Sequence, residues 1–489
     1  MPVNTRHPDA ELYRPQWERC RAAVSGEDAV KAAGETYLPM LGDQDWRRYE
    51  AYKTRACFYN ASGRTVDGMV GAIMRKPYQL TFPEGNKKSL DYIGWKGQDL
   101  HQLIKSVLHE VISLGRVGLM VDMPITEGDP FVTMYRAEDI VSWLTTMVEG
   151  KKVPTRVVLE EVIEIPDSRD LFKIEMVTQY RVLNLGVLSM SEEELVGNGL
   201  AFSDIEKAVY YVEVWQKAKD QQGQSEWRVI ERVIPRMRGG KVFREIPFIF
   251  IGPTSTNPEP QKSPILDLVN VNISHYRNSA DLEHGRHFTA LPTPVVTGCN
   301  PDQPELIIGS EKAWVLPEPQ SKFGFLEFSG QGLGHLQEGM EQKERQMAVL
   351  GARLLEEDKA AAEAAEAVRL RQSGEQSALA HVSDACSVGL TTVLQFYGAW
   401  MNIPESEAGL ALNKDFDLRA VDSSVVVALM TAVQQGLMSW ETFFYNMQKG
   451  ELISEKTTME EEFAKIKVGP PMGYPEPEVA KPQFAKKGA

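Results

Sequence analysis

The chain has 489 residues, 43% hydrophobic and 9% aromatic, and its 53 Lys and Arg against 68 Asp and Glu give a formal charge of −15. That length supports roughly two to four domains with real cores. The acidic balance argues against a tight nucleic-acid binder, which needs a basic footprint, but not against a protein past which nucleic acid slides without sticking.

Four cysteines, Cys20, Cys57, Cys299 and Cys386, lie far apart with no CxxC pair, so the sequence predicts free thiols in a reducing compartment. The N-terminus "MPVNTRHPDAELYR" lacks the hydrophobic region of a signal peptide. The best apolar run, Val425 to Met430, is far short of a membrane span.

Residues 1–45 read as a polar segment with one helical piece, "QWERCRAAVSGEDAVKAAG". Over 46–76, Tyr49, Tyr52, Ala56, Tyr59, Val66, Met69, Val70 and Ile73 predict one or two amphipathic helices, ended by Pro77. A further helix is predicted over 99–115, with Gly115 as its C-terminal glycine, and "VGLMVDM" after it reads as a buried strand. From about Pro130 to Ile251, runs rich in β-branched and aromatic residues alternate with polar turns, which predicts a mostly antiparallel β region. "GPTSTNPEPQKSP" over 252–264, with four prolines, reads as a linker or extended arm.

The centre of the chain runs from Ser263 to Met401. Ser263 is a good N-cap and Pro264 suits the first helical position. Ile265, Leu268, Val269, Asn272, Ile273, Tyr276 and Ala280 then form one mostly apolar stripe of a long helix, which Pro292 and Pro294 stop. Short β-like runs follow: "TPVVTG", "ELII", "AWVL" and "FGFLEF". From about Leu333 the pattern is helical again, with a downstream stripe of Leu379, Val382, Cys386, Leu390, Val393, Tyr397 and Trp400. The order predicts two antiparallel helices with a small β insert at their tip. After Met401, residues 402–422 read as a loop, then two helices broken at Gly436 with Ser439 as a cap, and a proline-rich tail from Gly469 that reads as disordered.

No motif for chemistry survives inspection of its spacing. Gly330, Gly332 and Gly334 give GxGxG, with His335 in the third fingerprint position and no Lys-Ser/Thr after it, so a hinge into the second long helix fits better than a nucleotide site. His284 and His287 share a face beside Glu283, and His275 lies on the same helix; with no HExxH and no nearby cysteine, a polar helix–helix or subunit contact outranks a metal site. Cys57, Cys299 and Cys386 lack the surroundings of a nucleophile. The one unusual segment is 356–378, where Glu356, Glu357, Asp358, Glu363 and Glu366 stand against Lys359 alone; a solvated alanine-rich helix face explains that composition as it stands.

Taken together, "YLPMLGDQDWRRYEAYKTRACFYNASGRTVDGMVGAIMRKP", "SLGRVGLMVDMP", "YRAEDIVSW", "IPFIFIG", "SPILDLVNVNISHYRNSADLEHGRHFTALPTPVVTG" and the late "EEEFAKI" resemble, in order and spacing, the portal proteins of tailed bacteriophages, in a group first catalogued as a domain of unknown function. The resemblance covers nearly the whole chain and contains no catalytic motif. It implies an α+β portal fold. A 1–45 N-terminal segment precedes a wing over 46–263, helical over 46–115, mainly β over 116–251 and a linker over 252–263. Stem helix 1 then covers 264–290, a clip 291–328, stem helix 2 329–350, a tunnel-loop region 351–362, a long helix 363–402, small crown helices 403–468 and a tail 469–489.

The function so implied is mechanical, not enzymatic, and needs no cofactor or metal. A ring, typically of twelve copies, would occupy one capsid vertex of the virion after assembly in the host cytoplasm. Double-stranded DNA would pass through it without sequence recognition. The implied partners are the chain itself, terminase, major capsid and scaffolding proteins and a head–tail adaptor, with no membrane. By position, Glu356, Glu357, Asp358 and Lys359 would line the tunnel, and Glu311, Lys312 and Trp314 would lie in the clip, at contacts with the motor or with neighbouring subunits. An acidic tunnel wall would repel the duplex weakly and keep it mobile. Two other readings remain open: a monomeric or small-oligomer virion adaptor or scaffold protein, and a nucleic-acid-processing enzyme, for which the sequence offers no metal or nucleotide motif.

Overall fold

A computed structural model describes residues 2–42, 44–124, 128–148, 150–166, 170, 172–186, 208–219, 225–290, 293–297, 322–326, 331–351, 365–414, 423–449, 452–453 and 457–468. The fold mixes helix and sheet, in the α+β class. It divides into one unit over 1–416 and a second over 417–489.

The first unit opens with α1 (Pro8–Ser25) and α2 (Glu27–Ala32). The polar segment 1–45 carries more helix than the one piece read from its sequence, and its Ala10, Trp17, Cys20, Ala23 and Val30 are all buried in the main core. Helix α1 also starts earlier than the sequence suggests, because His7 caps it, its Nδ1 accepting from the Asp9 N–H at 3.2 Å, and because the helix runs through Pro15. A proline removes one donor and strains one turn; burial of Ala10 before it and Trp17 after it holds the helix together.

Helices α3 (Trp46–Arg55) and α4 (Ala61–Met74) follow, capped by Asp45 onto the Arg48 N–H (2.9 Å) and by Asn60 onto the Gly63 N–H (2.8 Å). Short strand β1 (Gln79–Thr81) leads to α5 (Leu100–Leu114), which Asp99 caps and which Gly115 ends in the left-handed conformation at φ 80°. A side chain there would also meet the Gln261 carbonyl at 2.6 Å, so the position needs glycine twice over.

Strand β2 (Val117–Asp122) pairs antiparallel with β3 (Phe131–Arg136) on one side and with β9 (Phe248–Ile251) on the other. The second sheet runs β4 (Ile140–Val148), β5 (Lys151–Pro166), β6 (Ile174–Gly186), β7 (Val209–Lys219) and β8 (Ser225–Val233), antiparallel throughout. The β-rich stretch is thus two sheets, one of three strands centred on β2 and one of five.

Next come α6 (Leu266–Ala290), the hairpin strands β10 (Thr293–Thr297) and β11 (Lys322–Leu326), α7 (Gln331–Leu350), α8 (Ala365–Trp400) and β12 (Gly409–Ala411). Gly332 and Gly334 lie inside α7, so they form its first turns and not a hinge. The predicted loop after Met401 contains β12, which pairs with β1; three-residue strands carry too little periodicity to be read in advance. Helix α8 packs its Leu379, Val382, Cys386, Leu390, Val393, Tyr397 and Trp400 into one buried cluster that reaches from Ala10 to Leu412.

Residues 252–263 are packed, not a free linker. Arg116 is buried, lies 4.1 Å from the Trp143 ring and 4.6 Å from the Phe250 ring, and donates from Nη1 to the Pro258 carbonyl at 2.5 Å. Burial pushes its pKa down to about 9. The His7 ring stacks on the same Trp143 at 4.0 Å, so one aromatic ring ties the N-terminus, the sheet and the proline arm together.

The second unit holds α9 (Ser423–Gln434), α10 (Trp440–Lys449) and α11 (Met459–Val468). Ser439 caps α10 through the Thr442 N–H (3.2 Å), and Thr458 with Glu461 forms a capping box for α11. Trp440 meets Phe463 edge-on at 6.1 Å. The proline-rich tail from Gly469 lies outside the described residues.

Burial, with repulsion from Glu138 second, raises the Asp139 pKa from 3.8 to about 6. A carboxylate whose folded value is raised destabilises the fold above that value, and the penalty fades as pH falls toward 4. Asp139→Asn is therefore expected to raise the urea midpoint at pH 7.5 and to lose that advantage at pH 4. An equal shift at both pH values would contradict the assignment.

Candidate functional site

The feature that stands out is an arm: α6 out, the β10–β11 hairpin at the end, α7 back. The hairpin is antiparallel, from Thr293 opposite Leu326 to Thr297 opposite Lys322. The helices are antiparallel too, since their contacts pass from Ser274–Lys343 through Asn278–Gly339 to Gly285–Leu333. Ser274 O accepts from Lys343 Nζ at 3.1 Å, and His275 Nε2 lies 3.1 Å from Glu344 Oε1. Further out, Gly339 faces Asn278, and Gly285 faces Leu333, where a Cβ would come within 2.5 Å of the leucine methyl. Small residues at these crossings let the two backbones approach closely.

The root of the arm is set by polar contacts buried among apolar ones. Ile265, Leu268, Val269, Ile273, Tyr276 and Ala280 face the core, as the stripe predicts. Asn272, fully buried on the same helix, does what no apolar residue could. Its Oδ1 accepts from the Ser62 N–H (3.2 Å) and Oγ (2.8 Å), and its Nδ2 donates to the Tyr59 carbonyl (2.8 Å). Ser62 lies in the first turn of α4, whose N–H groups have no partner within their own helix. Helix α6 thus caps α4 from outside.

Four more contacts fix its rotation. Ser279 Oγ accepts from the Cys57 N–H at 3.1 Å, and Tyr52 OH donates to Asp281 Oδ1 at 2.6 Å. Arg277 Nε donates to the Tyr37 carbonyl at 2.8 Å, and Arg19 Nη1 donates to Asn270 Oδ1 at 2.6 Å. Burial first, and the bond to Asp281 second, push the Tyr52 hydroxyl well above its ordinary pKa, so it remains a donor.

Helix α7 buries Met347 and shows solvent a polar face with Glu338, Glu341 and Arg345. At its end Gly351 packs against Thr65 and Leu268, where a Cβ would lie 2.6 Å from the threonine methyl. The chain therefore returns to the root of the arm before 352.

The residues singled out in advance separate into two groups. Glu356, Glu357, Asp358 and Lys359 lie outside the described residues, as do Glu311, Lys312, Trp314 and Cys299. The three histidines are described. His275 is buried and makes a polar helix–helix contact with Glu344. His284 packs edge-on against Tyr52 (5.2 Å) and Phe288 (4.7 Å), and burial lowers its pKa. Among the described residues no group of three or more His, Cys, Asp or Glu could hold a metal ion, and no helix is long and apolar enough to cross a membrane. Sequence reasoning counted Asn272 as one member of a mostly apolar stripe and missed its capping role; the signal was present, a polar residue centred in that stripe.

A family model described as a domain of unknown function (DUF4055) matches residues 264–401, less than a third of the chain. Those bounds enclose α6, the hairpin, α7 and α8. No curated protein matches. Among solved structures, a chain from the virion of a native gene transfer agent particle aligns at 14% identity and a TM-score of 0.37, covering 85% of this chain and 96% of that one. A chain from the neck of an empty particle of that kind, computed with C6 symmetry, aligns at 13% identity and 0.37, with the same coverage. One from the neck of a native particle, computed with C12 symmetry, aligns at 12% and 0.36, covering 78% and 88%.

Asn272→Leu keeps the volume but leaves the Tyr59 carbonyl and the Ser62 N–H buried without their partner. The expected loss is about 2–4 kcal/mol in urea unfolding, from about 1–3 kcal/mol per orphaned group. Arg286→Gln, exposed further along the same helix with only a surface pair to Glu283, is expected to change stability by about 0.5 kcal/mol or less. Equal effects at the two positions would show that Asn272 does not set the root.

Proposed function

We propose that this chain is a portal protein of a tailed bacteriophage. In this reading it forms a ring at one capsid vertex, serves as the channel for DNA packaging and ejection, and docks terminase and a head–tail adaptor. The observation that carries the reading is the arm, a helix–hairpin–helix rooted by buried polar contacts at one end and tipped by a β hairpin at the other. A stem with a clip needs that combination: a stiff shaft at a fixed angle and a small docking element held away from the body. The order of the sequence blocks around the arm supports the same reading. The role is mechanical, with no chemical step. The ring is head-to-tail, seats among capsid and scaffolding proteins, and belongs to the virion after assembly in the host cytoplasm.

In this proposal Glu356, Glu357, Asp358 and Lys359, which follow α7 in the sequence, line the tunnel. Twelve copies would set 3 × 12, or 36, carboxylates around one hole, within a Debye length of about 8 Å of many passing phosphates. Repulsion there is felt but is too soft to stop a motor-driven duplex.

Charge reversal tests the proposal. With Glu356, Glu357 and Asp358 all changed to Lys, rings are expected to form and DNA to stick, slowing packaging with a steep salt dependence. Packaging at the wild-type rate in low salt, by rings that form normally, would place the cluster on a solvated face and contradict its assignment to the tunnel. Replacement of 300–320 by a Gly/Ser linker is expected to leave the body folded and to abolish motor docking; normal packaging by that variant would contradict the clip.

A further inference from the structure

Residues 2–7 form a strap against the start of β4. The His7 N–H donates to the Val141 carbonyl at 2.9 Å, and Val3 packs on the small cluster of Val141, Val158, Tyr180 and Val182. Arg6 donates from Nη1 to the Glu138 carbonyl at 3.1 Å and pairs with Glu160 of β5 at 3.4 Å. The strap ends where α1 begins, and His7 is the residue that joins the two.

The imidazole of His7 is held twice. Its ring stacks on Trp143 at 4.0 Å, with 17° between the planes, and its Nδ1 accepts from the Asp9 N–H at 3.2 Å to cap α1. An amide N–H needs a lone pair, and Nδ1 offers one only in the neutral ring with its proton on Nε2. The charged groups around the ring come from three sides. From the end of α5, Arg116 lies buried with its Cζ 4.1 Å from the same Trp143 ring, and its Nε and Nη2 have no hydrogen-bond partner among the described residues. From α1, Asp9 Oδ2 lies 3.7 Å from Nδ1, on a side chain about half exposed (46%). From the strap, Arg6 is engaged with Glu138 and Glu160, and β4 itself carries no titratable group.

We infer that His7 is an acid-released latch: protonation of its imidazole frees residues 2–7 from β4 and from the start of α1. A proton on Nδ1 removes the cap acceptor. It also sets a cation against the positive end of α1 and a second cation on the indole that Arg116 already faces. Asp9 opposes release, since a protonated Nδ1 can turn to its carboxylate. That pair is half in solvent, where an ion pair contributes little, whereas Arg116 is buried. Burial lowers the His7 pKa below its ordinary value, Asp9 opposes that, and Arg116 adds to it. A histidine lowered in the docked state binds its proton more readily once free. Docking is therefore at full strength above the free imidazole value of about 6.5 and weakens as pH falls through it. The latch does not depend on the ring proposed above.

Hydrogen exchange of the N-terminal peptide in the full chain tests it, read by mass spectrometry and corrected for the intrinsic pH dependence of exchange. In the wild type the opening of the strap is expected to rise about threefold or more from pH 7.5 to 5.5. His7→Asn keeps a capping oxygen and cannot titrate, so its opening is expected to be the same at both pH values. Asp9→Asn removes the group that opposes release, and its rise is expected to exceed that of the wild type. Asp139, which titrates near pH 6, is common to all three proteins and cancels in the comparison. Wild-type opening that stays level or falls at pH 5.5 would overturn the latch, and so would a His7→Asn variant that rises as much as the wild type. If His7→Asn leaves the strap open at both pH values, Asp9→Asn decides alone: a rise no larger than that of the wild type overturns the inference.

Discussion

The arm depends on one buried asparagine. Asn272 sits in a helix that would otherwise pack by apolar contact alone, and apolar contact tolerates rotation and sliding. By accepting from the first turn of α4 and donating to the Tyr59 carbonyl, its side chain has one satisfying position. Any turn of α6 about its axis would orphan buried groups, and such groups are costly to leave unmade. The arm therefore leaves the body at one angle. Tyr52–Asp281 and Arg277–Tyr37 repeat the constraint further along the helix, and Lys343–Ser274 carries it across to α7.

Around this root the chain closes on itself. The main core takes in residues from before and after the arm, with α1 and α5 on one side of the sequence and α8 and β12 on the other. The arm is thus an excursion from a single packed body, and both its ends are held. Arg116 does comparable work for the preceding segment: a buried guanidinium between Trp143 and Phe250 reaches the Pro258 carbonyl and pins a proline-rich stretch that would otherwise be loose.

Much of this is legible in the sequence, for physical reasons. Long periodic stripes such as Leu379 to Trp400 are buried faces, and Asp99 with Gly115 marks both ends of α5. Alternation from 130 to 251 gives strands. What escapes is decided by tertiary contact. The extension of α1 through Pro15 rests on Trp17, which only the folded core accounts for. The pairing of β1 with β12 joins two three-residue strands some 330 positions apart in sequence, too short to show a period. The packing of 252–263 needs Arg116, far away in the chain. In the candidate site, the apolar stripe of α6 is plain, whereas the role of Asn272 is not, since a polar residue in such a stripe reads equally well as an interruption.

In the proposed ring, rooted arms of many copies surround one axis. Electron microscopy of the purified full-length protein tests it most directly. The account predicts ring-shaped particles with a central hole in end views, narrowing in side views to an end built from the β10–β11 hairpins. Isolated single copies across the micromolar range, with no ring at any concentration, would contradict it.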